Sequence, residues 1–244
     1  MNYSNQKRET RYGIPAADQI LFNRHYVLGY SYYFRQAKWA LEIVDSQNTI
    51  VERRDSFRPD YRIPECFRAD KEVYEGSNYD RGHLVASANK LESEIQNSET
   101  FLLSNMCPQV SDFNSGIWRK LESAVRILDS DKKVLETYVI TGPLFYFDKD
   151  VKMIGDKDDS IKVSLPIPHA FFKSVLVERN TGTFKMWSFI IDNKEDVTGD
   201  LDDFLVKTSK VEKISGLFLW QTLVGSKMDR MKNRKGTMWK YQEG

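Results

Sequence analysis

The chain has 244 residues, of which 41% are hydrophobic and 13% aromatic. This length can bury one large core or two smaller ones, and the aromatic content argues against a disordered chain. The sequence contains 36 Lys and Arg residues and 35 Asp and Glu residues. This nearly neutral charge excludes a protein that coats nucleic acid, because such proteins are strongly basic. A nucleic-acid partner would therefore be held by a local basic patch.

The two cysteines, Cys66 and Cys107, match no C-x-x-C or zinc-ligand spacing. One disulfide and two free thiols are both consistent with them. The first thirty residues are too polar for a signal peptide, and no apolar run approaches the length of a membrane span. We therefore expect no membrane partner, and a location that is cytoplasmic as given, or secreted or organellar if a leader was removed.

No Pro/Gly/Ser-rich linker and no repeat divides the chain, which favours a single domain. Residues 1–25 are polar and charged at their start, and we expect them to form an N-terminal arm. Residues 26–225 are predicted to form the domain. Residues 226–244 are predicted to form a basic, irregular C-terminal tail.

The first half of the predicted domain contains short β-rich segments. Residues 26–34 and 39–44 predict two strands joined by a turn, because they are rich in aromatic and aliphatic side chains. Residues 57–69 carry two prolines and many charges and predict a loop. A short helix is expected around residues 90–93, and a strand over residues 100–103.

The hydrophobic period becomes helical over residues 112–129. The apolar positions that fall on one stripe of this helix are Ile117, Leu121, Ala124, Val125 and Leu128. A neighbouring stripe, with one residue every four positions, contains Asn114, Trp118, Glu122 and Arg126. Because polar side chains beside a buried stripe can face a cleft, this helix is a candidate site element.

The second half predicts strands over residues 136–143, 170–177 and 184–191, the last two joined by a hairpin at 180–182. Residues 201–214 predict a charged helix that ends near Gly216. Together these elements indicate an α+β protein with a central, twisted antiparallel sheet flanked by helices.

The box Asp80-Arg81-Gly82-His83 places four chemically useful residues together. His83 is a candidate general base, because a neutral imidazole can take a proton from water near pH 7. The alternative is a structural turn histidine. Gly82 allows a tight turn and a close approach to a ligand, and Arg81 suits phosphate oxygens. His25 and His169 are interpreted as structural.

Three residues of the helix are the further candidates, each with a simpler alternative. Asn114 could bind Mg²⁺ through its amide oxygen or cap the helix start. Glu122 could hold metal-bound waters or be an exposed carboxylate. Arg126 could contact a phosphate or form an ordinary ion pair with Glu122. Trp118 and Leu121 are expected to anchor the helix in the core.

The D-R-G-H box, followed by S-N-x-x-P-Q-x-x-x-x-N-x-x-x-W-x-x-L-E from Ser104 to Glu122, resembles the DNA/RNA non-specific endonucleases of the endonuclease G type. The resemblance implies the ββα-metal nuclease fold. It also implies that Asn114 binds Mg²⁺, or Mn²⁺ or another divalent cation, with Glu122 acting through water. Arg126 would contact the scissile phosphate. Asp80 and Asn105 would brace the site.

The hypothesis that follows is a metal-dependent endonuclease. Its catalytic residues are His83, Arg81, Arg126 and Glu122, with both arginines binding the substrate. The resemblance implies cleavage of DNA and RNA to 5′-phosphate ends, and a homodimer. The alternatives are a phosphodiesterase for small nucleotides and an inactive nucleic-acid-binding module.

A non-specific nuclease that is not secreted would damage its own cell, so we also predict an inhibitor or an activating partner protein. The basic tail, with Trp239 and Tyr241, could grip nucleic acid or be a solvated segment. Its basic residues are Lys227, Arg230, Lys232, Arg234, Lys235 and Lys240.

Overall fold

The structure, a computed structural model, describes residues 7–45, 51–53, 55–155 and 163–241. Its main element is a seven-stranded antiparallel sheet. In their order across the sheet, the strands are β1 (Gln19–Phe22), β2 (Tyr26–Ser31), β3 (Gln36–Ile43), β6 (Val134–Leu144), β9 (Ala170–Arg179), β10 (Phe184–Asp192) and β11 (Leu205–Val206). Two small two-stranded sheets pair β4 (Asp80–His83) with β5 (Met106–Gln109), and β7 (Met153–Ile154) with β8 (Leu165–Pro166).

Five α-helices accompany the strands in the described part of the chain: α1 (Glu94–Thr100), α2 (Ser111–Phe113), α3 (Arg119–Asp129), α4 (Thr208–Ser215) and α5 (Ser226–Lys232). Residues Asn114–Trp118 form a π-helical segment between α2 and α3. Short 3₁₀ turns cover Arg8–Tyr12, Glu65–Phe67, Lys71–Tyr74, Ser87–Asn89, Leu103–Asn105 and Leu201–Phe204. The predicted α+β class with an antiparallel central sheet is confirmed.

Both faces of the large sheet are buried, because its strands alternate between two cores. In β9, Phe171 and Val175 point into the core that also contains α3. Phe172 and Leu176, on the opposite face, join a second core that contains α4. The apolar stripe predicted for the helix is buried as expected: Leu121, Ala124, Val125 and Leu128 in α3, with Ile117 just before it. Helix α3 is therefore fixed on one face of the sheet, and its neighbouring polar stripe is carried with it.

Four local predictions were wrong. The short helix expected around residues 90–93 is not there, and α1 begins after it, at Glu94. Residues 100–103 are not a strand: α1 ends at Thr100, and a 3₁₀ turn begins at Leu103. The turn between the first two predicted strands lies at residues 32–35, before the predicted position, so β3 begins at Gln36. The expected helix over 201–214 consists of a 3₁₀ turn, β11 and α4, which ends at the left-handed Gly216.

The chain ends pack more closely on the domain than the sequence suggested. Within the expected N-terminal arm, β1 pairs with β2, and Tyr12 is buried in the second core. Within the expected irregular tail, α5 forms, and the indole of Trp239 donates to the Ala124 carbonyl at 2.9 Å. The Lys232 ammonium is buried and donates to Glu212 at 2.7 Å. Lys232 and Trp239 therefore stabilise the fold, and neither is a solvated side chain.

Cys66 is exposed, Cys107 is buried, and both are free thiols. Of the two alternatives that the sequence left open, the structure has the one without a disulfide. Among the described residues, no helix combines the length and the apolar character needed to cross a membrane.

Gly82 is the point of closest contact inside the β4–β5 pair. A Cβ atom at this position would lie 2.0 Å from the side-chain carboxamide carbon of Gln109. Gln109 is completely buried, so its side chain cannot swing into solvent to make room. The third position of the D-R-G-H box therefore has to be glycine for a packing reason.

We expect Gly82→Ala to lower the free energy of unfolding by about 1–3 kcal/mol, the usual cost of overpacking a core. Urea denaturation followed by tryptophan fluorescence measures this. The double variant Gly82→Ala/Gln109→Ala removes the obstructing carboxamide and should unfold at a higher urea concentration than Gly82→Ala alone. An unfolding midpoint of Gly82→Ala equal to that of the wild type would contradict the packing argument.

Candidate active site

Asp80 connects strand β4 to the helical segment that begins at Ser111. Asp80, the first residue of β4, accepts hydrogen bonds from the Ser111 hydroxyl and from the Asn114 side-chain amide, both at 2.8 Å. A carboxylate has no hydrogen to give, so it must face the NH₂ end of the Asn114 amide. The amide oxygen of Asn114 is thereby fixed on the side away from Asp80. This geometry agrees with the bracing role predicted for Asp80.

The helix predicted over residues 112–129 is interrupted near its start. Residues Asn114–Trp118 form a π turn, and Gly116 has φ −96° and ψ −109°, outside the helical range. In an uninterrupted α-helix, eight residues rotate the chain by about 80° more than two turns, so Asn114 and Glu122 would lie about 80° apart around the helix axis. The π segment changes the relation between these two residues, and such segments are frequent at functional sites.

His83, the last residue of β4, packs against two aromatic rings that also contact each other, Phe57 and Phe101. Its imidazole contacts the ring of Phe101 edge to face, with centroids 5.0 Å apart, and lies 6.0 Å from the ring of Phe57. Each of these rings also faces an arginine: the Arg81 guanidinium lies 4.2 Å from the Phe57 centroid, and that of Arg53 lies 5.3 Å from the Phe101 centroid. Each ring that packs against the histidine therefore also contacts a cation.

The Nε2 atom of His83 is buried, and no described residue forms a hydrogen bond to it. Buried polar atoms without partners are uncommon and call for an explanation. Burial, with a smaller contribution from the Arg53 cation, lowers the pKa of His83 from 6.5 to about 3. The imidazole is therefore neutral at physiological pH, and a histidine whose pKa is so strongly perturbed is a candidate functional group.

Arg81 and Asn114 face a common cleft of about 360 Å³, whose walls also include Arg53, Phe57, Lys71 and Tyr79. No described carboxylate lies within the 4.0 Å ion-pair distance of Arg81, so its charge is free to meet an anion. Three cations and two carboxylates, those of Glu75 and Asp80, line this cleft, so it offers a small local excess of positive charge to a phosphate chain.

Glu122 lies on α3 above a polar part of the sheet. Burial raises the pKa of its carboxyl group, and the ammonium of Lys173 is the strongest of the charges that oppose this rise. Lys173 is buried in β9, donates to the Thr141 hydroxyl at 2.8 Å, and lies 4.7 Å from the centroid of the Trp118 ring. Trp118 and Leu121 are both buried, as predicted for anchors of the helix.

Arg126 does not form the ordinary ion pair that was the alternative for it. Among the described residues, none of its nitrogens lies within 4.0 Å of a carboxylate. Its guanidinium instead donates to the side-chain oxygen of Asn89 at 3.1 Å and to the Ser123 hydroxyl at 2.8 Å. Both partners are neutral, so the positive charge of Arg126 remains available to a substrate.

Asn105 braces the chain that follows His83. It is completely buried, its amide NH₂ donates to the carbonyls of Val85 and Thr100, and its amide oxygen accepts from the backbone N–H of Val85. Its own carbonyl accepts from Leu84 at 3.0 Å. These contacts agree with the bracing role expected for it. Of the other histidines, His169 accepts from the Tyr146 backbone and stacks on its ring, which is consistent with a structural role.

Four residues around the site were not among the sequence candidates: Arg53, Lys71, Asn89 and Lys173. Arg53 and Lys71 lie in segments without a hydrophobic period, so no pattern marked them. Lys173 carried one signal: it is a charged residue inside the apolar strand 170–177, where an unpaired lysine would be costly.

The donors present fit a hydrated divalent cation. Among the described residues, no group of three His, Cys, Asp or Glu side chains is placed to hold a metal ion. Asn114 offers an oriented amide oxygen, and Glu122 offers a carboxylate. Mg²⁺ prefers oxygen ligands and keeps several of its waters, so a site with few protein ligands suits it, whereas a closed zinc site would need more of them.

Comparison with known proteins gives a consistent result. The profile of the DNA/RNA non-specific endonuclease family matches residues 4–225. The mitochondrial Endonuclease G of Caenorhabditis elegans is 33% identical over 227 residues, which cover 87% of this chain and 71% of that protein. The Syncephalastrum racemosum nuclease is 33% identical over 230 residues, covering 87% and 70%. Human mitochondrial Endonuclease G is 33% identical over 213 residues, covering 85% and 71%.

A crystal structure of an EndoG/EndoGI complex, which addresses the mechanism of EndoG inhibition, superimposes with a TM-score of 0.81. The two sequences are 28% identical, and the match covers 93% of this chain and 96% of the other. The expected ββα-metal nuclease fold is confirmed, with the β4–β5 pair and the helical segment 111–129 as the part that carries the candidate residues.

The first prediction from the site concerns the orientation of Asn114. In Asp80→Asn the new amide can donate as well as accept, so it no longer fixes which end of the Asn114 amide faces the cleft. We expect the Mg²⁺ concentration for half-maximal binding to rise about 10- to 100-fold, the usual effect of losing a group that orients a metal ligand. Isothermal titration with Mg²⁺ measures this. Asp112→Asn removes an exposed carboxylate from the same turn and should leave the titration unchanged.

The second prediction concerns pH. Folded His83 has a pKa of about 3, against 6.5 for an ordinary histidine, so on acidification the unfolded chain takes up a proton first. The free energy of unfolding should therefore fall as the pH drops from about 6.5 towards 3. Urea denaturation at pH 7.5 and pH 5 should show a smaller difference in His83→Ala than in the wild type. An equal difference would show that His83 titrates normally.

Proposed function

The chain belongs to the DNA/RNA non-specific endonuclease family, and from this membership we propose which of its residues carry out the reaction. The protein is a metal-dependent nuclease with the ββα-metal fold. The proposal is that it uses Mg²⁺ held by Asn114, with His83 as the general base, and that it cleaves phosphodiester bonds of DNA and RNA to leave 5′-phosphate ends.

One observation carries the proposal: the two ends of the four-residue strand β4 hold the two halves of the site. Asp80 at its start orients the amide oxygen of Asn114, and His83 at its end is a neutral base. Because a strand of this length is short and paired with β5 along its whole length, the two groups are held in a fixed relation. Preorganisation of this kind is what catalysis by positioned groups requires.

His83 would take a proton from the attacking water, because its imidazole is kept neutral by burial. Arg81, which has no carboxylate partner among the described residues, would bind the phosphate. Arg126, held by neutral partners, would stabilise the negative charge that develops at phosphorus. Glu122 would hold waters of the metal shell through hydrogen bonds.

Asn114 and Glu122 are the residues that would hold the metal. When bound, Mg²⁺ supplies a Lewis acid that polarises a phosphate oxygen and stabilises the departing oxygen. An attacking water needs no 2′-hydroxyl, so the same groups can serve DNA and RNA. The absence of a closed ligand cage among the described residues also leaves room for Mn²⁺ or another divalent cation.

Two further features of the proposal rest on relatives. The EndoG structure that this chain matches is bound to an inhibitor, which supports the proposal of an inhibitor protein for this nuclease as well. Both Endonuclease G relatives are named as mitochondrial proteins, and among the expected compartments we therefore propose an organelle. The homodimer remains a prediction, which the mass in solution would test.

The central test is cleavage of supercoiled plasmid and of single-stranded RNA, with Mg²⁺ and with EDTA. The wild type should cut both substrates with Mg²⁺ alone. His83→Ala should cut both at least 10²- to 10⁴-fold more slowly, the contribution typical of a general base. His25→Ala, which removes a histidine from a turn at the far end of β1, should cut at the wild-type rate. Equal rates for His83→Ala and wild type would exclude His83 as the base.

A further inference from the structure

Arg126 is held in place from one direction by a residue outside the two sequence motifs. Its guanidinium donates to the side-chain oxygen of Asn89 at 3.1 Å. Asn89 is only 4% exposed and ends the 3₁₀ turn Ser87–Asn89, which follows β4 closely along the chain. A rigid, buried acceptor of this kind restricts a long side chain that otherwise has many rotamers.

The orientation of the Asn89 amide is in turn imposed by Glu42. The NH₂ group of Asn89 donates to a Glu42 carboxylate oxygen at 3.0 Å. Since a carboxylate can only accept, the Asn89 oxygen must point away from Glu42, towards Arg126. If the amide were reversed, its NH₂ group would face the guanidinium, and two donors would oppose each other.

Glu42 is itself fixed in the sheet. It lies in β3, is 2% exposed, and forms an ion pair at 3.3 Å with Lys90, which is 3% exposed. The Lys90 ammonium also donates to the Ile43 carbonyl at 2.6 Å. A buried ion pair is often no more stabilising than apolar side chains of the same size, so packing alone does not explain why charged groups occupy this position.

We propose that Asn89, oriented by Glu42, is the residue that positions Arg126 for the scissile phosphate. This series of hydrogen bonds, from Glu42 through Asn89 to Arg126, starts in the large sheet and ends on a cation of the site. It repeats the arrangement at Asp80 and Asn114, where a carboxylate also determines which end of an amide faces the cleft. The inference rests on the proposed function, because it assigns Asn89 a role only if Arg126 acts on the substrate.

The test is a double-mutant cycle between Asn89→Ala and Arg126→Ala, measured under steady-state conditions on a short duplex DNA with Mg²⁺. In the wild-type background Asn89→Ala should lower kcat about 10- to 100-fold, as expected when a catalytic group is displaced, with less than about a threefold change in KM. In the Arg126→Ala background it should change kcat less than about twofold, because the group it positions is absent.

Asn23 offers a matched control. It is also buried, and its side-chain oxygen also accepts from a guanidinium, that of Arg62, at 2.8 Å. Asn23→Ala should therefore cost comparable stability while leaving kcat at the wild-type value. Glu42→Gln, which keeps the size of the side chain, gives a second measurement if Asn89→Ala folds poorly. Its loss of kcat should also disappear in the Arg126→Ala background.

The outcomes separate the inference from the proposed function. If Arg126→Ala is slow but the losses from Asn89→Ala and Glu42→Gln multiply with it in full, Arg126 acts as proposed and the positioning role is overturned. If Arg126→Ala cuts at the wild-type rate, the role of Arg126 in the proposed function fails, and the inference fails with it. A loss of kcat in Asn23→Ala equal to that in Asn89→Ala would also overturn the inference, because it would reduce the effect to general destabilisation.

Discussion

The site depends on the two hydrogen bonds that the Asp80 carboxylate accepts from Ser111 and Asn114. Through these bonds the carboxylate at the start of strand β4 is joined atom to atom to the helical segment that follows β5. Asp80 provides that connection at the one place where the helix begins. Without it, the candidate base on the strand and the candidate metal ligand on the helix would lose this direct connection.

Burial changes the charges of the groups at the site in a consistent direction. Burial lowers the pKa of His83 and of Lys173 and raises the pKa of Glu122. Each group is thereby moved towards its neutral form, while the opposite charges of Glu122 and Lys173 oppose that effect in each other. For His83 this keeps the imidazole in its neutral form and also lowers its affinity for a proton. For the pair it means that the charge of Glu122 is set partly by a lysine in the sheet below.

The sequence predicted the parts of the fold that are long and periodic. The strands β6, β9 and β10 and the apolar stripe of α3 were found because each buries a regular set of side chains. Strand β4 was not found, since four residues, one of them glycine and three polar, have no period. The π segment was not predictable either, because it depends on Gly116 and on how the flanking helices pack. The site candidates came from the motif, and the tertiary partners Lys173 and Asn89 could not, because they are brought to the site by pairings far apart in the chain.

The side-chain amides of two asparagines near the site, Asn89 and Asn114, are oriented in the same way. An amide has a donor end and an acceptor end of nearly equal shape, so packing alone cannot decide which end faces a ligand. A carboxylate behind the amide decides it, because it rejects the acceptor end. At Asn114 the deciding carboxylate belongs to the recognised motif, whereas at Asn89 it is Glu42, on a strand of the main sheet. Glu42 and Asn89 belong to no sequence motif, because they are far apart in the chain and only the tertiary structure brings them into contact.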